Sequence, residues 1–131
     1  MPTLTNATDE SIAEFAKATS GLWRAEYRLP FPPSVNDMYI SGRIKSPAYR
    51  AWSEQSLWEL KAQKAKPVPG RSLVTIDLDD KRLGDADNRA KSVMDILVTA
   101  GVLANDSKKH VRRVSIGWEP IDGCRVRLEA A

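Results

Sequence analysis

The hydrophobic period of this chain switches repeatedly between two and 3.6 residues, and that switching restricts it to a mixture of strands and helices. Trp23, Ala25, Tyr27 and Leu29 alternate with Arg24, Glu26 and Arg28, the pattern of a half-buried strand. The run Pro30-Phe31-Pro32-Pro33 cannot continue a strand interior, so the chain leaves the sheet there. Residues 38–45 read as a short hairpin around Ser41-Gly42. Ser46-Pro47 then supplies an N-cap and a first-turn proline for a helix whose apolar face is Tyr49, Trp52, Leu57 and Leu60. Pro67, Pro69 and Gly70 end that segment.

Val74, Ile76 and Leu78 alternate with Thr75, Asp77 and Asp79 in a second strand. A second helix is expected from near Asp85 to about Ala100, with Ala90, Val93, Met94 and Leu97 facing the core and Gly101 closing it. Val114, Ile116 and Trp118 mark a third strand, and Val126 and Leu128 a fourth, across a turn at Asp122-Gly123. The order predicts an α+β domain, a small mixed sheet of about four to five strands with two main helices packed on one face.

Ahead of it, residues 1–21 read as an N-terminal arm. Ser11 and Glu14 have capping-box spacing there, and Ile12, Phe15 and Ala16 would give a short helix. The domain itself is expected over residues 22–131. A chain of 131 residues, 42% hydrophobic and 28% charged, fits one such domain and argues against wholesale disorder. The lone Cys124 cannot form an intrachain disulfide, which fits a reducing compartment. No apolar run reaches membrane-spanning length and residues 1–22 lack a signal-peptide pattern, so a cytoplasmic protein with no membrane association is expected. One histidine, His110, and one cysteine exclude a structural zinc site within one chain. Neither a phosphate-loop spacing nor GxGxxG nor GxSxG occurs, so no nucleotide cofactor is expected.

Charge is unevenly placed. Between Asp77 and Asp95 six aspartates face four basic residues, a local balance of −2, which leaves +5 on the rest of a chain whose net is +3. A basic body attracts polyanions, and a local acidic cluster holds divalent cations. Together they suggest metal-dependent chemistry on phosphates. By the strand alternation, Arg24, Arg28, Arg113, Arg125 and Arg127 point away from the helices. They read either as a DNA-binding surface or as a solvated sheet face.

The informative segment is Asp85-Ala86-Asp87-Asn88-Arg89-Ala90-Lys91, followed by Asp95 and then Asn105-Asp106. Asp87, Lys91 and Asp95 lie at i, i+4 and i+8, on one helix stripe, and Asp85 sits at the loop-to-helix junction where it can converge with Asp87. Magnesium asks for one or two carboxylates, keeps several waters and takes further oxygens from a phosphate. Asp106 reaches the Asp85 end only by folding back along the helix, or it comes from a second subunit. Aspartates at a helix start also serve as caps and dipole partners, and Lys91 between two aspartates also reads as an exposed salt-bridge ladder.

Two blocks resemble the RusA family of Holliday-junction resolvases, small homodimeric magnesium-dependent endonucleases of phages and prophages. One is Leu29-Pro30-Phe31-Pro32-Pro33-Ser34-Val35-Asn36, followed by Tyr39 and by Tyr49-Arg50; the other is Asp85-Ala86-Asp87-Asn88 with Lys91, Asp95, Gly101 and Asn105-Asp106. The likeness runs roughly from residue 24 to 128 and leaves the arm unmatched. It implies Asp85, Asp87 and Asp106 as metal ligands and Lys91 as a residue required for cleavage, with Asn88 and Asp95 in support. Lys81 and Arg82 stand where the family often carries an arginine run and are implied DNA contacts. The resemblance further implies Mg²⁺, with Mn²⁺ able to substitute, and a homodimer that nicks four-way junction DNA in recombination and repair. A non-catalytic branched-DNA-binding module of prophage origin is the alternative. A metal-dependent phosphoesterase acting on RNA or small phosphates is a third reading.

Overall fold

A computed structural model describes residues 23–37, 39–42 and 44–131; the arm expected at residues 1–21 lies outside them. Six strands and two α-helices follow in the expected order: β1 (Arg24–Leu29), a 3₁₀ turn (Val35–Asp37), β2 (Tyr39–Ser41), β3 (Ile44–Lys45), α1 (Pro47–Ala62), β4 (Ser72–Asp79), α2 (Asp87–Thr99), β5 (Val111–Glu119) and β6 (Cys124–Ala130). The fold is α+β. The main sheet has the order β1-β6-β4-β5, and β2 with β3 forms a separate two-stranded ribbon.

The sheet is mixed because α2 carries the chain from β4 to a parallel β5, whereas β6 returns antiparallel and inserts between β1 and β4. Registers align the apolar residues into three rungs on the helix side. These are Val114–Val74–Leu128–Ala25, Ile116–Ile76–Val126–Tyr27 and Trp118–Leu78–Cys124–Leu29. Val74, Ile76, Leu78, Val126 and Leu128 are fully buried there against Leu60 of α1 and Val93, Ile96 and Leu97 of α2. Burying each such side chain contributes about 1.5–3 kcal/mol. Cys124 is completely buried, as a small apolar residue would be, and burial pushes its thiol up to about 12.

Local chemistry sets the helix ends. The Ser46 hydroxyl accepts the Tyr49 amide at 3.1 Å, and Pro47 occupies the first turn, where no amide donor is needed. At its other end α1 stops on a Schellman motif, in which Ala65 donates to the Leu60 carbonyl and Lys64 to that of Lys61. Lys64 holds the left-handed conformation (φ 58°) that glycine usually takes, so the helix ends ahead of the prolines expected to stop it. Gly101 (φ 80°) plays the same part after α2. The buried stripe of α1 runs Tyr49, Trp52, Ser56 and Leu60. Leu57, expected on that face, is only partly buried, because a strict helical period carries the stripe through Ser56.

The proline segment after β1 has carbonyls with no sheet partner, and side chains from both helices take them. Trp52 Nε1 donates to Pro30 O at 2.8 Å, Arg89 Nη1 to Pro32 O at 2.9 Å and Ser92 Oγ to Pro33 O at 3.0 Å. The segment is therefore fastened between α1 and α2. No helix among the described residues is long and apolar enough to cross a membrane.

Candidate functional site

Strand β4 delivers the chain to an exposed loop, residues 80–86, that carries Lys81, Arg82 and Asp85 into the start of α2. The helix begins at Asp87 rather than near Asp85, and Ala86 precedes it with no side-chain cap. Asp85 is thus not spent on capping. Among the described residues its carboxylate meets only Asn88 Nδ2, at 3.5 Å, and both Asp85 and Asp87 are exposed. Among the described residues neither has an ion-pair partner. Asp87 lies in the first turn, where the helix dipole favours a negative charge.

One turn on, Lys91 Nζ lies 3.0 Å from Asp95 Oδ1 and 3.9 Å from Asp106 Oδ2. The hydrogen bond and charge of Asp95, reinforced by Asp106, raise the Lys91 pKa above the ordinary lysine value. Asp106 reaches this point from its own chain. After Gly101 the buried Val102 and Leu103 anchor the turn, and Asn105 Oδ1 accepts the Ser107 amide at 2.9 Å to shape the loop that folds back. Sequence left open whether Asp106 folds back or comes from a second subunit; within this chain it meets Lys91.

Asp85 and Asp87 stand at the helix start, and Asp106 sits with Lys91 and Asp95. Among the described residues no group of three or more histidine, cysteine, aspartate and glutamate side chains is close enough to hold a metal ion. The donor set nevertheless suits a hard cation that keeps most of its waters. Two uncommitted, exposed carboxylates two residues apart meet the one or two that magnesium takes from a protein.

Beside this row a depression of about 350 Å³ opens between α1 and α2, lined by Lys45, Tyr49, Asp95, Thr99, Asn105 and Asp106. Burial, then the Asp95 charge, raises the Tyr49 pKa, and Lys45 Nζ lies 5.2 Å from the centre of its ring. Periodicity placed Tyr49 on the core face of α1 and gave no signal for Lys45, because contact with α2 is not written in local spacing.

The five arginines expected away from the helices do lie on that face, by register. Four are paired there. Arg125 Nε and Arg127 Nε reach Asp77 Oδ2 at 2.8 and 3.0 Å, Arg24 meets Glu129 at 3.3 Å and Arg28 meets Glu26 at 3.7 Å. Arg113 is exposed opposite Leu73. Lys81 pairs with Asp122 at 2.7 Å, while Arg82 lies 3.9 Å from Asp79 and covers the Phe31 ring at 5.0 Å. These two remain on the loop that leads to Asp85.

No protein-family model matches the chain. It is similar to the crossover junction endodeoxyribonuclease RusA of Aquifex aeolicus (strain VF5), at 32% identity over 87 residues that span 61% of this chain and 68% of that protein. With the helix-start aspartates, Lys91 and Asp106 lying on one side of a mixed α+β sheet, that likeness gives the chain its place: it belongs to the RusA family.

Proposed function

We propose that this protein is a structure-selective endodeoxyribonuclease that resolves four-way DNA junctions by metal-dependent phosphodiester hydrolysis. The observation that carries the reading is Lys91, held by Asp95 and Asp106 one helical turn from the exposed Asp87 that follows Asp85, in a chain related to a crossover junction endodeoxyribonuclease.

In this reading Asp85, Asp87 and Asp106 would hold Mg²⁺, or Mn²⁺ in its place. A bound divalent ion would lower the pKa of a water and offset charge on the phosphate oxygens. Lys91 presents its ammonium to the charge that develops on the scissile phosphate. Asp95 keeps that ammonium aimed, and the Asn88 amide orients the Asp85 carboxylate. Lys81 and Arg82 approach backbone phosphates beside the site. Those contacts fix position without reading sequence, so binding falls steeply with salt. A four-way junction has approximate two-fold symmetry, and a two-fold homodimer would set two such sites on opposed strands.

The test is cleavage of a labelled synthetic four-way junction, in Mg²⁺ and in EDTA, beside a linear duplex of matching sequence. Symmetric, metal-dependent nicks confined to the junction are expected. A second reading, a branched-DNA-binding module without catalysis, is favoured by the separation of Asp106 from the helix-start pair. It predicts tight junction binding and no nicks in either Mg²⁺ or Mn²⁺. Equal cutting of junction and duplex would instead mark a general phosphodiesterase.

A further inference from the structure

Arg89 stands in the first turn of α2, where a cation opposes the helix dipole. Its guanidinium does not point into solvent. Nη1 donates to the Pro32 carbonyl at 2.9 Å, Nη2 donates to the Leu83 carbonyl at 3.2 Å, and the group lies 4.9 Å from the centre of the Phe31 ring. Its Nε is buried and has no hydrogen-bond partner among the described residues. Gly84, at φ 117°, passes so close that a Cβ there would lie 3.0 Å from Nη2. One planar fork therefore ties three pieces together: the proline segment after β1, the loop leaving β4 and the start of α2.

We propose that Arg89 is a positioning residue that fixes the Leu83–Asp87 segment, and with it the carboxylates of Asp85 and Asp87. Beyond the 3.5 Å contact from Asn88 to Asp85, those two side chains have no ion pair to hold them among the described residues, so their placement depends on the backbone beneath. That backbone is held by Arg89 through the Leu83 carbonyl and the tight passage at Gly84. Lysine cannot reproduce the role, since it carries a point charge and no rigid two-pronged donor. The proposal rests on the reading of Asp85 and Asp87 as metal ligands.

Two measurements on the full chain separate the possibilities. The first is amide hydrogen exchange of metal-free Arg89→Met, which keeps an apolar stem against Phe31 and removes both donors; Arg89→Lys serves as the conservative companion. Exchange at residues 90–92, whose helical amides bond back to the carbonyls of residues 86–88, should be at least about tenfold faster, with α1 unchanged. The second is Mn²⁺ binding by electron paramagnetic resonance, where the dissociation constant should rise about tenfold, the lower end for residues that orient metal ligands. Ile96→Val, a buried change remote from the loop, controls for lost stability and should leave Mn²⁺ affinity as in the wild type. Unchanged exchange at residues 90–92 in both Arg89 variants overturns the proposal. So does faster exchange with unaltered Mn²⁺ affinity, which would reduce Arg89 to a structural tie. A wild-type protein that binds no Mn²⁺ overturns the metal reading itself and with it the role toward the carboxylates, whatever the exchange data show.

Discussion

Replacing Lys91 by methionine separates a catalytic role from a structural one, because the two effects differ in size and the metal effect has the opposite sign. The Lys91 side chain is 54% exposed, and its closest partner, Asp95, lies one turn away at 3.0 Å. An exposed pair at that spacing contributes about 0.3–0.5 kcal/mol, and the 3.9 Å approach to Asp106 adds little to it. The melting temperature should therefore fall by about 3 °C or less. Loss of a preorganised charge beside the scissile phosphate instead costs about 10²- to 10³-fold in rate. Metal binding should move the other way. Without the ammonium, the negative charges of Asp95 and Asp106 beside the site go uncompensated, so Mn²⁺ affinity should hold or tighten. Asp95, by its hydrogen bond and charge, holds the Lys91 pKa above the ordinary 10.5, so the ammonium is still mostly charged there and the midpoint of any alkaline decline in cleavage due to this group lies beyond that value. Single-turnover cleavage of a junction, calorimetric unfolding and Mn²⁺ titration of Lys91→Met would check all three. A rate loss under tenfold, or weakened Mn²⁺ binding, would refute the role given to Lys91.

Asp87→Asn should keep the melting temperature within a few degrees and retain junction binding in Ca²⁺, while nicking in Mg²⁺ is abolished; a cleavage assay beside a mobility-shift assay decides it. Cys124 should resist a disulfide reagent at pH 8 in the native protein and react fully in denaturant, since its thiol is buried and pushed up to about 12. The folded value lies above the ordinary 9.0, so the thiol's contribution to stability is present below pH 9.0 and declines toward 12, which a pH series of denaturant midpoints would register. Gly123→Ala should destabilise by about 2 kcal/mol or more, because φ is 70° and the new Cβ would lie 2.8 Å from the Leu29 carbonyl oxygen. Urea unfolding measures that loss.

Strand identity was legible in the sequence, since alternation at Val74-Ile76-Leu78 and Val126-Leu128 fixes which side chains are buried. Strand order was not. A period of two says which face a residue takes and nothing about its neighbour, so the insertion of β6 between β1 and β4 could not be read. The aspartate-lysine row was legible because i, i+4 spacing is a local property of α2. Asp106 required knowledge of how Val102 and Leu103 turn the chain back, which depends on burial against the rest of the core. Arg89 was hidden for a related reason: its partners, the carbonyls of Pro32 and Leu83, are backbone groups that residue identity does not advertise. The arginines of the open face were placed correctly by alternation, yet their pairing with Asp77, Glu26 and Glu129 depends on cross-strand register.

The position of β6 also governs when the sheet can exist during synthesis. Among the described residues β1 pairs with β6 alone, and Leu29 waits about 95 residues for Cys124. At ribosomal rates that interval is roughly 5–20 s, during which β1 lacks its β6 partner. β4 and β5 can pair through α2 earlier, as a local parallel unit. The nascent chain therefore holds β1 without this partner until β6 emerges, and a stop codon before Cys124 would leave that edge open, a ready template for aggregation.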